Sequence, residues 1–203
     1  MTDLKVVGHR LPRQDAWDKA TGRYVYGMDF QVEGQLHGTI LRSPHPHARI
    51  VSIDTSRARA LDGVEAVITA QDLPPDLLMP GVVTDQPPLA RDRVRYHGEP
   101  VALIAARTLD IAEQAKELIE VQYEPLPPIL DAEAAMAPDA PLVHEDWESY
   151  HAEEGLVRRG NICCHASLHT GDPEGGFAEA DLIVESEFTT ESVHQSHVEP
   201  RVA

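Results

Sequence analysis

Between Val94 and Asp131 the rhythm of apolar and polar positions changes twice, and the changes predict strand, helix and strand in one unit. Pro100 to Ala106 is a compact apolar run entered through Gly98, the pattern of a buried strand. Thr108 stands where a helix cap belongs, with Asp110 in the first turn against the positive end of the helix dipole. Ile111, Ala115, Leu118 and Ile119 share one face of a helix over 108–119, while Glu113, Gln114, Lys116 and Glu117 point the other way. Val121 and Tyr123 then alternate with Gln122 and Glu124, the period of a half-buried strand. Pro125, Pro127 and Pro128 end it, because proline cannot donate to a ladder.

The same reading extends along the chain. Residues 4–19 mix isolated apolar anchors with charge and show no period, which predicts an extended arm. Residues 20–29 predict a turn, a short strand and a second turn, with Gly22 and Gly27 as turn residues. Leu36 to Arg42 is a strand, Ser43 to Arg49 an irregular exposed loop fixed by two prolines, and Ile50 to Ile53 a strand again. Asp54 caps a short helix through Leu61, stopped by Asp62-Gly63, and Val64 to Thr69 alternates as a strand. Residues 72–90 form a long proline-rich loop. Beyond Asp131 the texture becomes alanine- and proline-rich, with Leu142 to Trp147 a short apolar handle on acidic ground. Asn161 to Leu168 predicts a strand, and Gly171-Asp172-Pro173 opens a short helix with Phe177 and Ala180 inward. Leu182, Val184 and Phe188 alternate with Ile183, Glu185, Glu187 and Thr189, which predicts a last strand. The expectation is a mixed α/β (α+β) chain: an arm over 1–14, a main domain over 15–132, a linker over 133–159 and the start of a second domain over 160–203.

Composition narrows the function classes. Thirty-four acids against 17 bases give a formal charge of −17, which repels phosphate backbones and anionic membranes. The N-terminus is polar and lacks the apolar core of a signal peptide, and no run approaches the roughly 20 apolar residues of a membrane span. Cys163 and Cys164 are the only cysteines, and adjacent cysteines fit disulfide geometry poorly. A reduced, cytoplasmic protein without nucleic-acid or membrane partners is expected. Aromatic residues make up only 5%, so the core should rest on Val, Ile, Leu and Ala.

Three clusters invite chemistry. His45 and His47 form a His-x-His pair with no third donor nearby in sequence. His144, His151, Cys163, Cys164, His165 and His169 are dense in ligand types but lack a Cys-x-x-Cys or His-Glu-x-x-His spacing. On a regular strand, 163 and 165 share a face and 164 points away, which is ordinary strand packing. His194, Gln195, His197 and Glu199 form the third, where Ser196 has no elbow glycines around it. No phosphate-cradling glycine loop is present. These readings assign no catalytic residue and no metal site.

Several stretches in order carry a family resemblance. They are Lys19-Ala20-Thr21-Gly22 with Tyr24, Gly34-Gln35-Leu36-His37-Gly38, and Arg42-Ser43-Pro44-His45-Pro46-His47-Ala48-Arg49-Ile50. Further on come Gly98-Glu99-Pro100-Val101-Ala102, Val121-Gln122-Tyr123-Glu124-Pro125-Leu126-Pro127, Gly171-Asp172, Phe177 to Asp181, Val193-His194-Gln195 and Glu199-Pro200. Together they resemble the α/β hammerhead domain of the xanthine dehydrogenase and aldehyde oxidase family, followed by the first strands of a molybdenum-binding domain. The resemblance implies a molybdenum hydroxylase that oxidises a small molecule with water as the oxygen source. It implies molybdopterin cytosine dinucleotide, bound mainly by a partner chain or a further segment, with 2Fe-2S clusters and FAD on partner subunits. Family large subunits continue well beyond the Glu-Pro signature. A component inactive alone is therefore expected, whether split or truncated, in a hetero-oligomer with the remaining molybdenum-binding chain, an iron–sulfur subunit and an FAD subunit. Gln195 and Glu199 are the implied cofactor-side residues. The alternative is a non-catalytic interaction module that retains the fold. Residues 160–203 are expected to pair with another chain.

Overall fold

The computed structural model describes residues 6–196. The chain divides into two units, one of residues 36–180 and one joining residues 1–35 with 181–203.

The larger unit is built on two three-stranded antiparallel sheets. In the first, β6 (Pro100–Ala106) lies between β1 (His37–Arg42) and β3 (Val64–Thr69). Ile40 is opposite Leu103, and Leu103 is opposite Ile68, so one row crosses all three strands. In the second, β2 (Ala48–Asp54) lies between β5 (Arg93–Val94) and β7 (Glu120–Pro125). Helix α3 (Leu109–Glu117) packs on the first sheet, with the short α2 (Ser56–Arg59) beside it.

The core explains the register. Ala102, Ile104 and Ala106 alternate along β6 and bury against Ala58, Val67, Ala112, Ala115 and Ile119. Ala48, Ala90, Val94 and Val101 form a second cluster, and Ile53 and Val121 pack against both. Eight of the fourteen buried apolar residues described are alanines, so helix and strands approach closely without large side chains between them. Gly63 shows how tight this is. It holds φ +87°, and a Cβ there would stand 2.8 Å from Ile111 Cδ1. Both the turn after α2 and the seat of Ile111 need glycine.

Thr108 caps α3, its Oγ1 accepting the Ile111 N–H at 3.2 Å. The helix face is turned slightly from the expected one. Ala112 is fully buried with Ala115, whereas Ile111 and Leu118 flank the core half-buried. A sheet offering alanines accepts the small residues of the helix at the centre and pushes the larger ones to the edges.

Beyond the sheets, β4 (Val83–Thr84) pairs with β8 (His151–Ala152), and β9 (Val157–Arg159) with β10 (Ile162–His165). The stretch read as a linker therefore contains a short helix, α4 (Ala132–Ala135), and two short strands. Helix α5 (Pro173–Glu179) starts as expected, with Asp172 Oδ1 accepting the Gly175 N–H at 3.0 Å. Its Phe177, expected inward, is 62% exposed, because no described element offers α5 an apolar surface.

In the smaller unit the arm is not wholly extended. Asp15 bridges Arg13 and Lys19 at 2.7 and 2.8 Å and supports α1 (Ala16–Ala20). Lys19 lies over the Tyr24 ring at 4.5 Å, and Thr21 Oγ1 donates to the Trp17 carbonyl at 2.8 Å. The strand expected near Tyr24–Tyr26 is absent; a 3₁₀ turn at Gly27–Asp29 follows an unpaired extended stretch. The strand expected over 182–189 is absent too. Its apolar and polar residues alternate in sequence, but no ladder partner adjoins 181–196 among the described residues, and alternation without a partner leaves an exposed segment without regular structure.

Candidate functional site

The histidine-rich loop after β1 is tied to the loop before β6. Ser43, almost fully buried, donates its N–H to the Glu99 carbonyl and accepts the Gly98 N–H, both at 2.9 Å. Arg42 Nη1 donates to the Gly98 carbonyl at 2.9 Å. Gly98 holds φ +86°, a conformation glycine adopts without strain. The two histidines that invite a metal are already engaged in packing. His47 Nδ1 meets the Pro127 carbonyl at 2.8 Å, and His45 stacks edge-on against Tyr123 at 4.9 Å between centroids.

Glu99, 3% exposed, is the most buried carboxylate described. It accepts the Arg95 backbone N–H and so closes the Arg95–Glu99 turn. Burial pushes its carboxyl above the ordinary range; the Arg95 N–H and charge act against that shift. Arg93 on β5 and Arg95 just after it hold the segment at 143–145. Arg93 reaches Glu145 at 3.1 Å, and Arg95 Nε donates to the Val143 carbonyl at 3.3 Å.

His144, carried by that segment, lines two clefts together with Asp85. The smaller, about 180 Å³, also holds Tyr96, Arg95 and Glu99. The larger, about 470 Å³, is lined by Val83, Ile129, Trp147, Tyr150, Arg158 and Cys163 among others. Burial lowers the His144 pKa, helped by Arg95, which favours the neutral ring. Its Nδ1 lies 3.3 Å from the Tyr150 hydroxyl, whose pKa burial raises. Arg158 braces the wall by donating to the Tyr150 and Trp147 carbonyls. A neutral imidazole, two phenols and a buried acid can exchange single hydrogen bonds with a small guest.

Of these residues, His144 and Cys163 stood in the histidine- and cysteine-rich cluster over 144–169, while Asp85, Tyr96 and Tyr150 carried no sequence signal. The signals were weak ones: the Gly98-Glu99-Pro100 word, and a histidine inside the acidic stretch 144–148. Of the residues named from the sequence, Gln195 lies exposed in the extended segment of the smaller unit, and Glu199 lies outside the described residues. Beside Gln195, Ser196 takes φ +48° and donates its N–H to His194 Nδ1 at 2.9 Å. The structure brings no group of three or more His, Cys, Asp or Glu side chains together for a metal among the described residues. No helix among them is long and apolar enough to cross a membrane.

Residues 21–127 match the family model described as the aldehyde oxidase and xanthine dehydrogenase a/b hammerhead domain. The chain is 42% identical over 203 residues to the carbon monoxide dehydrogenase large chain of Afipia carboxidovorans, covering 97% of this chain and 25% of that protein. It is 32% identical over 198 residues to the nicotinate dehydrogenase large molybdopterin subunit of Eubacterium barkeri, covering 98% and 44%. Reconstituted CO dehydrogenase from Oligotropha carboxidovorans superposes with a TM-score of 0.65 at 44% identity, over 70% of this chain and 18% of that one. The chain thus spans between about a quarter and under a half of the length of the two curated relatives.

Proposed function

The chain belongs to the aldehyde oxidase and xanthine dehydrogenase family of molybdenum hydroxylases, and from that premise we propose that it supplies the hammerhead part of such an oxidoreductase and one edge of its cofactor site, without catalysing the reaction alone. In this reading residues 15–132 are the hammerhead, 133–159 the connection, and 160–203 the beginning of the molybdenum-binding domain. The observation that carries it is the unbroken match over 21–127 to the hammerhead model, which contains both loops that meet at Ser43 and Glu99. The relative named as a large molybdopterin subunit aligns over nearly the whole of this chain, which supports the same cofactor class.

The residues present do not by themselves make a cradle for a dinucleotide. Gln195 is one carboxamide in an exposed stretch, a single side chain against the many donors that a pterin and its phosphates take. The cytosine dinucleotide form would therefore be held chiefly by other segments of the enzyme. Two adjacent cysteines cannot supply the four thiolates of an iron–sulfur cluster, which assigns 2Fe-2S centres to partner subunits, and the family resemblance assigns FAD to a partner as well. The substrate is a small molecule, and the free thiols suit a reducing cytoplasm.

The test is purification from the native host by a tag on this chain, with metal and flavin analysis of the complex. Molybdenum, iron and flavin co-eluting in constant ratio with the chain are expected. A stable complex that contains the chain and no molybdenum would overturn the reading and leave an interaction module.

A further inference from the structure

The two cysteines do not sit as a regular strand would place them. Along β10, Ile162 is opposite Arg159 and His165 opposite Val157, so three steps on one strand answer two on the other. The extra residue is a bulge at Cys163–Cys164, and a bulge breaks the alternation that would send neighbouring side chains to opposite faces. Both thiols are free and exposed, and their sulfurs lie 3.9 Å apart. Two thiolates bound to one centre at about 2.3 Å each, with a tetrahedral angle between them, lie about 3.8 Å apart. The bulge thus sets the bite of a dithiolate chelate before any ligand arrives.

We propose that Cys163 and Cys164 form a two-thiol chelate for a soft, thiophilic centre, a d¹⁰ metal ion or a trivalent arsenical. Soft thiolate pairs select such centres over hard cations. With no third His, Cys, Asp or Glu gathered at the site among the described residues, the remaining coordination positions face solvent. This inference is independent of the molybdenum-enzyme reading.

The probes are phenylarsine oxide and cadmium ion, applied to the purified complex, with alkylation by iodoacetamide read by peptide mapping. In the arsenical reaction arsenic forms two bonds to sulfur, its oxygen leaves as water with both thiol protons, and no electron is transferred. One equivalent is expected to slow alkylation of both cysteines at least tenfold. Cys163→Ser and Cys164→Ser, substitutions at exposed positions, are each expected to abolish protection of the cysteine that remains. A sulfur-to-cadmium charge-transfer band, lost in either variant, would extend the site to metal ions, while protection without the band restricts it to trivalent centres. Unchanged alkylation with no band, or protection that survives in a single-cysteine variant, overturns the proposal.

Discussion

Strand β6 and residues 182–188 both carry the apolar positions expected of a strand, and they end in opposite states. In β6, Ala102 and Ile104 are buried and a neighbour pairs on each side. In the later segment Leu182, Val184 and Phe188 are 79%, 78% and 90% exposed, and no ladder forms. The difference teaches that period two selects which side chains can be buried, while burial itself comes from partners. β6 obtains them from strands far away in sequence and from a helix with small residues on its face.

The contrast can be broken most forcefully at Ile104. Replacing it with Asp places an unpaired charge in the core and should cost about 4 kcal/mol or more. The midpoint of urea unfolding reads the loss, and a shift no larger than that of a surface change would mean that β6 is not the centre of the core.

A smaller effect is expected at Glu99. Its replacement by Ala leaves the Arg95 N–H without its acceptor and should cost about 1–3 kcal/mol. Glu99→Gln tests the pH dependence. A carboxyl raised in the fold contributes stability that is complete below its ordinary value of 4.5 and is lost as pH rises through its folded value. Native stability minus that of Glu99→Gln should therefore fall as pH climbs from 4.5, and a difference that rises would reverse the assignment of burial as the dominant cause.

Thr108→Ala removes the cap that starts α3 and should cost about 1 kcal/mol in the same unfolding measurement. Loss of nothing would show that packing on the sheet alone positions the helix.

The smallest expected effect sharpens the other half of the comparison. In the isolated chain, Val184→Asp should shift stability by less than about 0.5 kcal/mol. Amides 182–188 should exchange far faster than those of β6. Protection of both stretches alike would erase the distinction.

Much of the larger unit was legible in the sequence. The strand over Pro100–Ala106 and the cap at Thr108 stand where the pattern puts them. Periodicity placed Ile111 and Leu118 inward but missed Ala112, because a pattern of large apolar residues does not register a small one that fits closest. Glu99 was visible only as a letter in a family word; its burial depends on a turn closed by Arg95 and a loop locked through Ser43. The cysteine pair was misplaced for a different reason. A bulge is decided by the pairing of two strands, and no residue type in β10 announces it. The segment that carries His144 is held by Arg93 on β5 and by Arg95 just after it, contacts that cross some fifty positions.

The strand order β1-β6-β3 has a consequence for synthesis. The strand that joins the other two is made last. A nascent chain that has emerged only through Thr69 holds both outer strands of this sheet, and neither has its partner. Until Ala106 leaves the ribosomal tunnel, their open edges can pair with other chains, and closing such distant contacts is slow. The interval between the emergence of residues 69 and 106 from the tunnel is thus when this sheet most needs a chaperone, and a ribosomal pause within it would raise aggregation more than a pause after β6 has emerged.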